Sequence, residues 1–443
     1  MTKNRFEDAV IYQLQPRTFT PQGTLKAAEK LLGHIKSLGF DIVYLTPVTV
    51  ADDDGDERFL SKRQLKSESG NTKNPYRTKD YLNVDPEYGA NGDMKSFVVT
   101  AHSLGLRVIC DMVFLHCGPT AVFLKDHPDF VLRDENGEVL PGKWRFPQFD
   151  FSNPAVREYL IGVMEKWVFE FGADGLRCDV GFMIPVDFWR DAAKRLKKKR
   201  PGLLMIDEGE VPENVIGVDP QGVFDVDYSF AFTRVLLKTM KGEMSAAELR
   251  AAWESDLEAY SGVTGKKLRY IENHDVATDV YGDRFDLVWD KGRVEMALAL
   301  CYTMDGVPLI YNGCEVASTC RANMFVSRET PGVNAIEWSN ALLDAGKRRM
   351  RFICGLNALR HSHTALYRGS LRFIGGTEDG LFAFERKCGS DRVIYAANLS
   401  PKPLEVEADL KGLSKVFSSG ARKAENGIRL ASGGWTVMAS GRS

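Results

Sequence analysis

From the N-terminus to about residue 360, short apolar runs alternate with segments of helical periodicity, a pattern that few folds accept. Val10-Ile11-Tyr12, Ile42-Val43-Tyr44-Leu45, Val108-Ile109-Cys110, Leu203-Leu204-Met205-Ile206 and Pro308-Leu309-Ile310-Tyr311 are short enough for strands and apolar enough to be buried on both faces. Between them, Val156, Tyr159, Leu160, Val163, Met164, Trp167, Val168 and Phe171 recur every three to four residues, behind the start signal Ser152-Asn153-Pro154 and before Gly172. A second helix is expected from Leu25 to Leu38, ending at Gly39 and feeding a strand near Asp41. Strand, helix and strand again predict a parallel α/β architecture. Beyond residue 365 the period changes to two, in Leu371–Ile374, Leu381–Phe384, Val393–Ala396 and Trp435–Met438, with glycine-rich turns between them, which predicts a small all-β domain.

At 443 residues with 44% apolar content, the chain suits an α/β barrel plus an appended module. Fifty-eight basic against 60 acidic residues argue against a nucleic-acid or membrane-surface protein and leave a neutral substrate as the best fit. No signal-like stretch opens the chain and no uncharged apolar run approaches membrane-spanning length, so a cytoplasmic location is expected. Eight cysteines, without a Cys-x-x-Cys pair or a zinc-type grouping, are expected to be free thiols. Asp52-Asp53-Asp54-Gly55-Asp56 reads as a solvated loop, and the basic run 194–200 as the exposed end of a helix.

Gly175-Leu176-Arg177-Cys178-Asp179 places an arginine two residues before an aspartate, so a strand points both side chains to one side. A guanidinium so placed is expected to lower the aspartate pKa and keep it ionised, as a nucleophile requires. By the same alternation, Cys178 faces the outer helices. Two more carboxylates follow strand-like runs: Glu208 after Leu203–Ile206, and Asp275 in Arg269–Asp275. In a parallel barrel, the carboxyl ends of different strands converge on one mouth. Three carboxylates crowded there cannot all ionise freely, so their pKa values separate and one proton is retained for general acid work. Alternation cannot choose Glu208 over Glu210, which shares its parity; Glu208 is preferred because it directly follows the apolar run, and Asp207 points elsewhere.

With these residues in view, the chain resembles the α-amylase superfamily, glycoside hydrolase family 13, in motif order over nearly its whole length. Asp111-Met112-Val113-Phe114-Leu115-His116 is similar to the first motif, Gly175–Asp179 to the second and Glu272-Asn273-His274-Asp275 to the fourth. Tyr76–Asp80 and Gly306–Glu315 resemble two further family segments. The resemblance implies a (β/α)8 TIM barrel over residues 1–116 and 154–364, a short domain B over 117–153 and a C-terminal β-sandwich over 365–443. It implies that Asp179 is the nucleophile, Glu208 the acid/base and Asp275 the transition-state stabiliser. Arg177 would support Asp179, His116 and His274 would bond sugar hydroxyls, Asp111 would support that network and Tyr76 would stack on the sugar ring. The partner would be an oligosaccharide or polysaccharide, with no cofactor, nucleic acid or membrane.

Three departures from the family pattern carry information. Leu115 and Gln148 stand where calcium-binding amylases place an asparagine and an aspartate, so no structural calcium is expected. Val180-Gly181-Phe182-Met183 replaces a Lys-His pair that contacts sugar on the leaving-group side. The short domain B implies a differently walled cleft, in which Trp144, Phe146 and Phe149 are sugar platforms or local core. Hydrolysis of α-glucans or malto-oligosaccharides is the main expectation. Transglycosylation or isomerisation by the same residues, and non-catalytic carbohydrate binding, stay open as alternatives.

Overall fold

A computed structural model describes residues 6–67, 69–217, 222–276, 284–321, 323–326, 335–377 and 380–441; the N-terminal residues 1–5 lie outside them. Eight parallel strands close into a barrel: β1 (Ile11–Leu14), β2 (Ile42–Leu45), β3 (Arg107–Met112), β4 (Gly175–Cys178), β5 (Leu204–Asp207), β6 (Val226–Asp227), β7 (Lys266–Arg269) and β8 (Val307–Tyr311). Each pairs with its sequence neighbours and β8 closes onto β1, with Ile11 opposite Leu309, as expected for a (β/α)8 barrel.

Alternation divides the strand side chains between two layers. Ile11, Ile42, Tyr44, Ile109, Leu204, Ile206, Leu268 and Leu309 fill the barrel interior, whereas Leu176 and Cys178 join the larger core between strands and helices. Cys178 therefore faces the helices, as its parity requires. Gly175 lets β4 and β5 approach closely: a β-carbon there would lie 2.7 Å from the Leu204 carbonyl.

The helix behind Pro154 spans Pro154–Glu165, capped by Asn153, whose side chain accepts from the Ala155 N–H, and it continues into a π-type turn over Lys166–Glu170. The single helix expected over 25–38 is instead two, Leu25–Glu29 and Leu32–Ser37. Leu31 (φ −99°, ψ 0°) forms a turn between them, so that Leu25 and Ala28 of one and Leu32 and Ile35 of the other all reach the core.

Six further strands follow the barrel: β9 (Ser370–Phe373), β10 (Leu381–Cys388), β11 (Asp391–Asn398), β12 (Leu404–Glu407), β13 (Leu413–Ala424) and β14 (Gly427–Ser440). They form one antiparallel sheet, in which the long β14 pairs with β11 near its end and with β12 near its start. Its barrel-facing side contributes Phe384, Tyr395 and Trp435 to the main core, and its other side covers a separate apolar cluster around Ile394, Val406 and Leu430.

The reading of 52–56 as a solvated loop is corrected at Asp52, which is fully buried. Its carboxylate accepts from the Thr120 N–H and hydroxyl, both at 2.8 Å, tying the loop after β2 to the loop after β3. A β-carbon on Gly118 would strike Asp52 at 2.2 Å, so glycine is required at that approach. Among the described residues, no helix is long and apolar enough to cross a membrane.

Candidate active site

At the carboxyl ends of the strands lies a cavity of about 370 Å³, into which Asp179, Glu208 and Asp275 all project. Asp179 follows β4, and its N–H donates to the Met112 carbonyl at 2.9 Å; Glu208 follows β5, and its N–H donates to the Cys178 carbonyl at 3.1 Å. Each backbone bond extends the parallel ladder by one residue and fixes where the side chain leaves the strand. Glu210, the alternative to Glu208, points elsewhere: its carboxylate accepts from the Ala231 N–H at 3.1 Å and lies 3.7 Å from Lys267.

One fully buried guanidinium organises the acids. Arg177 Nη1 donates to Asp111 Oδ1 at 2.9 Å and to Asp179 Oδ1 at 2.8 Å, while Nη2 lies 2.5 Å from Glu208 Oε1. Asp111 Oδ2 also accepts from the Tyr44 hydroxyl at 2.6 Å and the Tyr76 hydroxyl at 2.9 Å. Each buried charge thus has a partner of opposite sign, without which its desolvation would be prohibitive.

The titration of the acids differs from the expectation. Burial dominates Asp179 and pushes its carboxyl up to about 7, with Arg177 pulling down and Asp111 pushing further up. The expected lowering by Arg177 is present but is outweighed by burial, with the negative charge of Asp111 adding to the rise. Burial also lifts Glu208 well above the carboxylate range, against Arg177 and with Asp179 adding to the rise. Asp275 moves the other way: burial opposes its ionisation, but His274, Arg63 and Arg177 outweigh it and hold it below the usual range. Burial pulls His274 itself down to about 4, so at neutral pH the arginines supply the positive charge.

The neutral state fixes the histidine tautomer. Gln13 Nε2 lies 2.8 Å from His274 Nδ1 and can only donate, so the proton sits on Nε2, which meets the Tyr76 oxygen at 2.6 Å. Tyr76 then passes its own hydroxyl proton toward Asp111, and its ring stacks on His274 with centroids 5.3 Å apart. His116, pulled by burial down to about 3, stacks on Phe146 at 4.9 Å. Trp144 and Phe146 line the cavity, whereas Phe149 belongs to the core.

Sequence reasoning missed Arg63, and it noted Val180 only as a departure from the family pattern, not its contact with Glu208. Val180 adopts a left-handed backbone (φ 40°), uncommon for a β-branched residue, and its N–H donates to Glu208 Oε2 at 2.8 Å. Arg63 Nη1 contacts Asp275 Oδ1 at 2.5 Å and Nη2 donates to the Asp275 carbonyl at 3.0 Å. Neither carries a local pattern, because both contacts join segments on different strand ends. Glu315, in the motif after β8, is buried and accepts from the Tyr12 hydroxyl at 2.5 Å and the Gly313 N–H at 2.8 Å, which gives it a structural task.

A closed parallel barrel with three carboxylates gathered around one arginine at its mouth defines a barrel enzyme of acid–base and nucleophilic chemistry. The model of the alpha amylase catalytic domain matches residues 3–134 and 142–340, and the chain belongs to that family. A cyclomaltodextrinase from Bacillus sp. is 26% identical over 88% of this chain and 73% of its own length. Alpha-amylase 2 of Dictyoglomus thermophilum is 25% identical over 86% of this chain and 64% of its own. In structure, an alpha-amylase from Lactobacillus plantarum superimposes with a TM-score of 0.78 at 22% identity, covering 99% of this chain and all of that one.

Proposed function

We propose that this protein is a retaining α-glycoside hydrolase acting on α-glucans or malto-oligosaccharides, with Asp179 as nucleophile, Glu208 as acid/base and Asp275 as transition-state stabiliser. The observation that carries the reading is that one guanidinium, Arg177, touches both Asp179 and Glu208 at the mouth of the barrel. Two carboxyls bridged by one guanidinium suit the separation of about 5–5.5 Å that retention needs, with no room for an intervening water. In the first step an Asp179 oxygen bonds to the anomeric carbon, the glycosidic C–O bond breaks, and Glu208 gives its proton to the leaving oxygen. In the second, Glu208 takes a proton from water, the water oxygen bonds to the anomeric carbon, and the ester to Asp179 breaks.

The raised pKa of Glu208 suits a group that must hold a proton near neutrality, and the low one of Asp275 suits a fixed negative charge beside an oxocarbenium-like sugar. Arg177, Asp111 and Tyr76 position these acids, and His116 and His274 line the sugar site. We assign residues 1–116 and 154–364 to the catalytic barrel, 117–153 to a short domain B and 365–443 to the C-terminal domain. The cytoplasmic reading is supported by eight cysteines that are all free.

The test is incubation with α-1,4- and α-1,6-linked oligosaccharides, with products resolved by anomer at early times. Release of the α-anomer, abolished in Asp179→Asn, supports the reading; release of the β-anomer refutes it. Accumulation of longer glycosides at high acceptor concentration would assign a transglycosylase instead.

A further inference from the structure

The wall of the cavity opposite the acid/base has a chemistry of its own. Asp275 follows β7 and Arg63 lies in the loop after β2, so their ion pair crosses the arc of the mouth formed by β7, β8, β1 and β2. Asp179 and Glu208 stand on the other arc, after β4 and β5. Arg63 holds Asp275 by both carboxylate and main-chain oxygen and lies over the Phe325 ring at 5.8 Å, and all three residues line the cavity.

Arg63 is not a wandering surface side chain. It sits on the short helix Lys62–Lys66, capped by Ser61, in a loop stapled by Gln64 Nε2 to the carbonyls of Asn71 (2.9 Å) and Thr72 (2.8 Å). The fully buried Arg77 adds bonds to the carbonyls of Phe59, Asp52, Asp54 and Thr72, at 2.6 to 3.0 Å. A loop cross-linked through buried polar groups presents Arg63 in a pre-organised position.

The leaving group departs on the Glu208 side, because that residue must protonate its oxygen. The remainder of the sugar ring, including the hydroxyl through which a glucan chain would continue toward its non-reducing end, then faces the Arg63 arc. We infer that Arg63 is a specificity-determining residue: clamped to Asp275 across the mouth, it closes the site behind a terminal sugar and restricts cleavage to the non-reducing end of an α-glucan. The inference rests on the glycosidase reading above.

The experiment compares wild type with Arg63→Ala and Arg63→Lys on α-glucosyl fluoride, maltohexaose, maltohexaose blocked at its non-reducing 4- and 6-hydroxyls, and cyclomaltohexaose, which has no end. Wild type is expected to turn over the first two and to act at least about tenfold more slowly on the blocked chain and the ring. Arg63→Ala raises the ring-to-linear rate ratio by about tenfold or more, and Arg63→Lys, which keeps one ion pair, stays close to wild type. Wild type cutting ring and blocked chain as fast as maltohexaose overturns the inference, and needs no variant to fold. An unchanged ratio in a folded Arg63→Ala overturns it as well. No turnover of α-glucosyl fluoride or maltohexaose by wild type overturns the glycosidase reading itself.

Discussion

Asp179→Asn tests whether the site is held together at a cost to stability. In the folded protein burial raises the Asp179 carboxyl from 3.8 to about 7. A group whose pKa is higher folded than unfolded favours the native state at low pH, and that advantage is lost as pH climbs from the unfolded to the folded value. Each unit is worth about 1.36 kcal/mol, so the ionisation that burial withholds from Asp179 costs the fold roughly 1 to 2 kcal/mol at pH 5 and about 4 kcal/mol at pH 8. Asparagine has the same shape, keeps an oxygen for Arg177 and never ionises. Urea unfolding at both pH values is expected to show the variant more stable than wild type, by a few kcal/mol at pH 8 and by clearly less at pH 5. Turnover is expected to fall by at least about 10⁴-fold, as for the loss of a nucleophile. A variant no more stable than wild type at pH 8, or one whose gain is the same at both pH values, would refute the claim that burial dominates this carboxyl.

The activity profile follows from the same groups. The kcat/KM of wild type is expected to rise with pH through about 7 as Asp179 ionises, and to fall at higher pH as Glu208 loses its proton. Asp111→Asn removes a negative charge that raises Asp179 and should move the rising limb down by about one pH unit, whereas an unmoved limb would show that Asp111 does not couple to it. Tyr76→Phe deletes the hydroxyl that joins Asp111 to His274; a loss of about 1 kcal/mol in unfolding free energy and a fall of about tenfold in kcat/KM are expected from parallel denaturation and rate measurements. Arg77→Ala orphans four carbonyls of the Arg63 loop, so amide hydrogen exchange over residues 52–72 should quicken well before that of the barrel strands.

Some elements were legible in the sequence and others were not, for reasons visible at particular residues. Apolar runs marked β1, β2, β3, β5 and β8 because those strands are buried on both faces and carry almost no polar residue to interrupt them. Strand β6 is two residues long, Val226–Asp227, and no periodicity can be read from two residues. The helix expected over 25–38 breaks at Leu31, a turn set by what each half packs against rather than by any Gly or Pro. Asp52 looked like one charge in a solvated run, but its partners, Thr120 and Gly118, lie in another loop.

The sequence by itself pointed to the architecture and to a short set of candidate carboxylates, since alternation along a strand tells which side chains share a face and a parallel barrel brings strand ends to one mouth. Only the tertiary structure shows that Glu208, and not Glu210 of the same parity, lines the cavity, because that depends on where the chain turns after β5. It also decided the direction in which the Asp179 carboxyl shifts. Proximity to Arg177 is written in the spacing Arg-x-Asp, but burial, and the sharing of that one cation with Asp111 and Glu208, arise only when β3, β4 and β5 lie side by side. The arginine that closes the far wall comes from a loop more than two hundred residues from the aspartate it holds. Such contacts follow from chain closure, which no local pattern encodes.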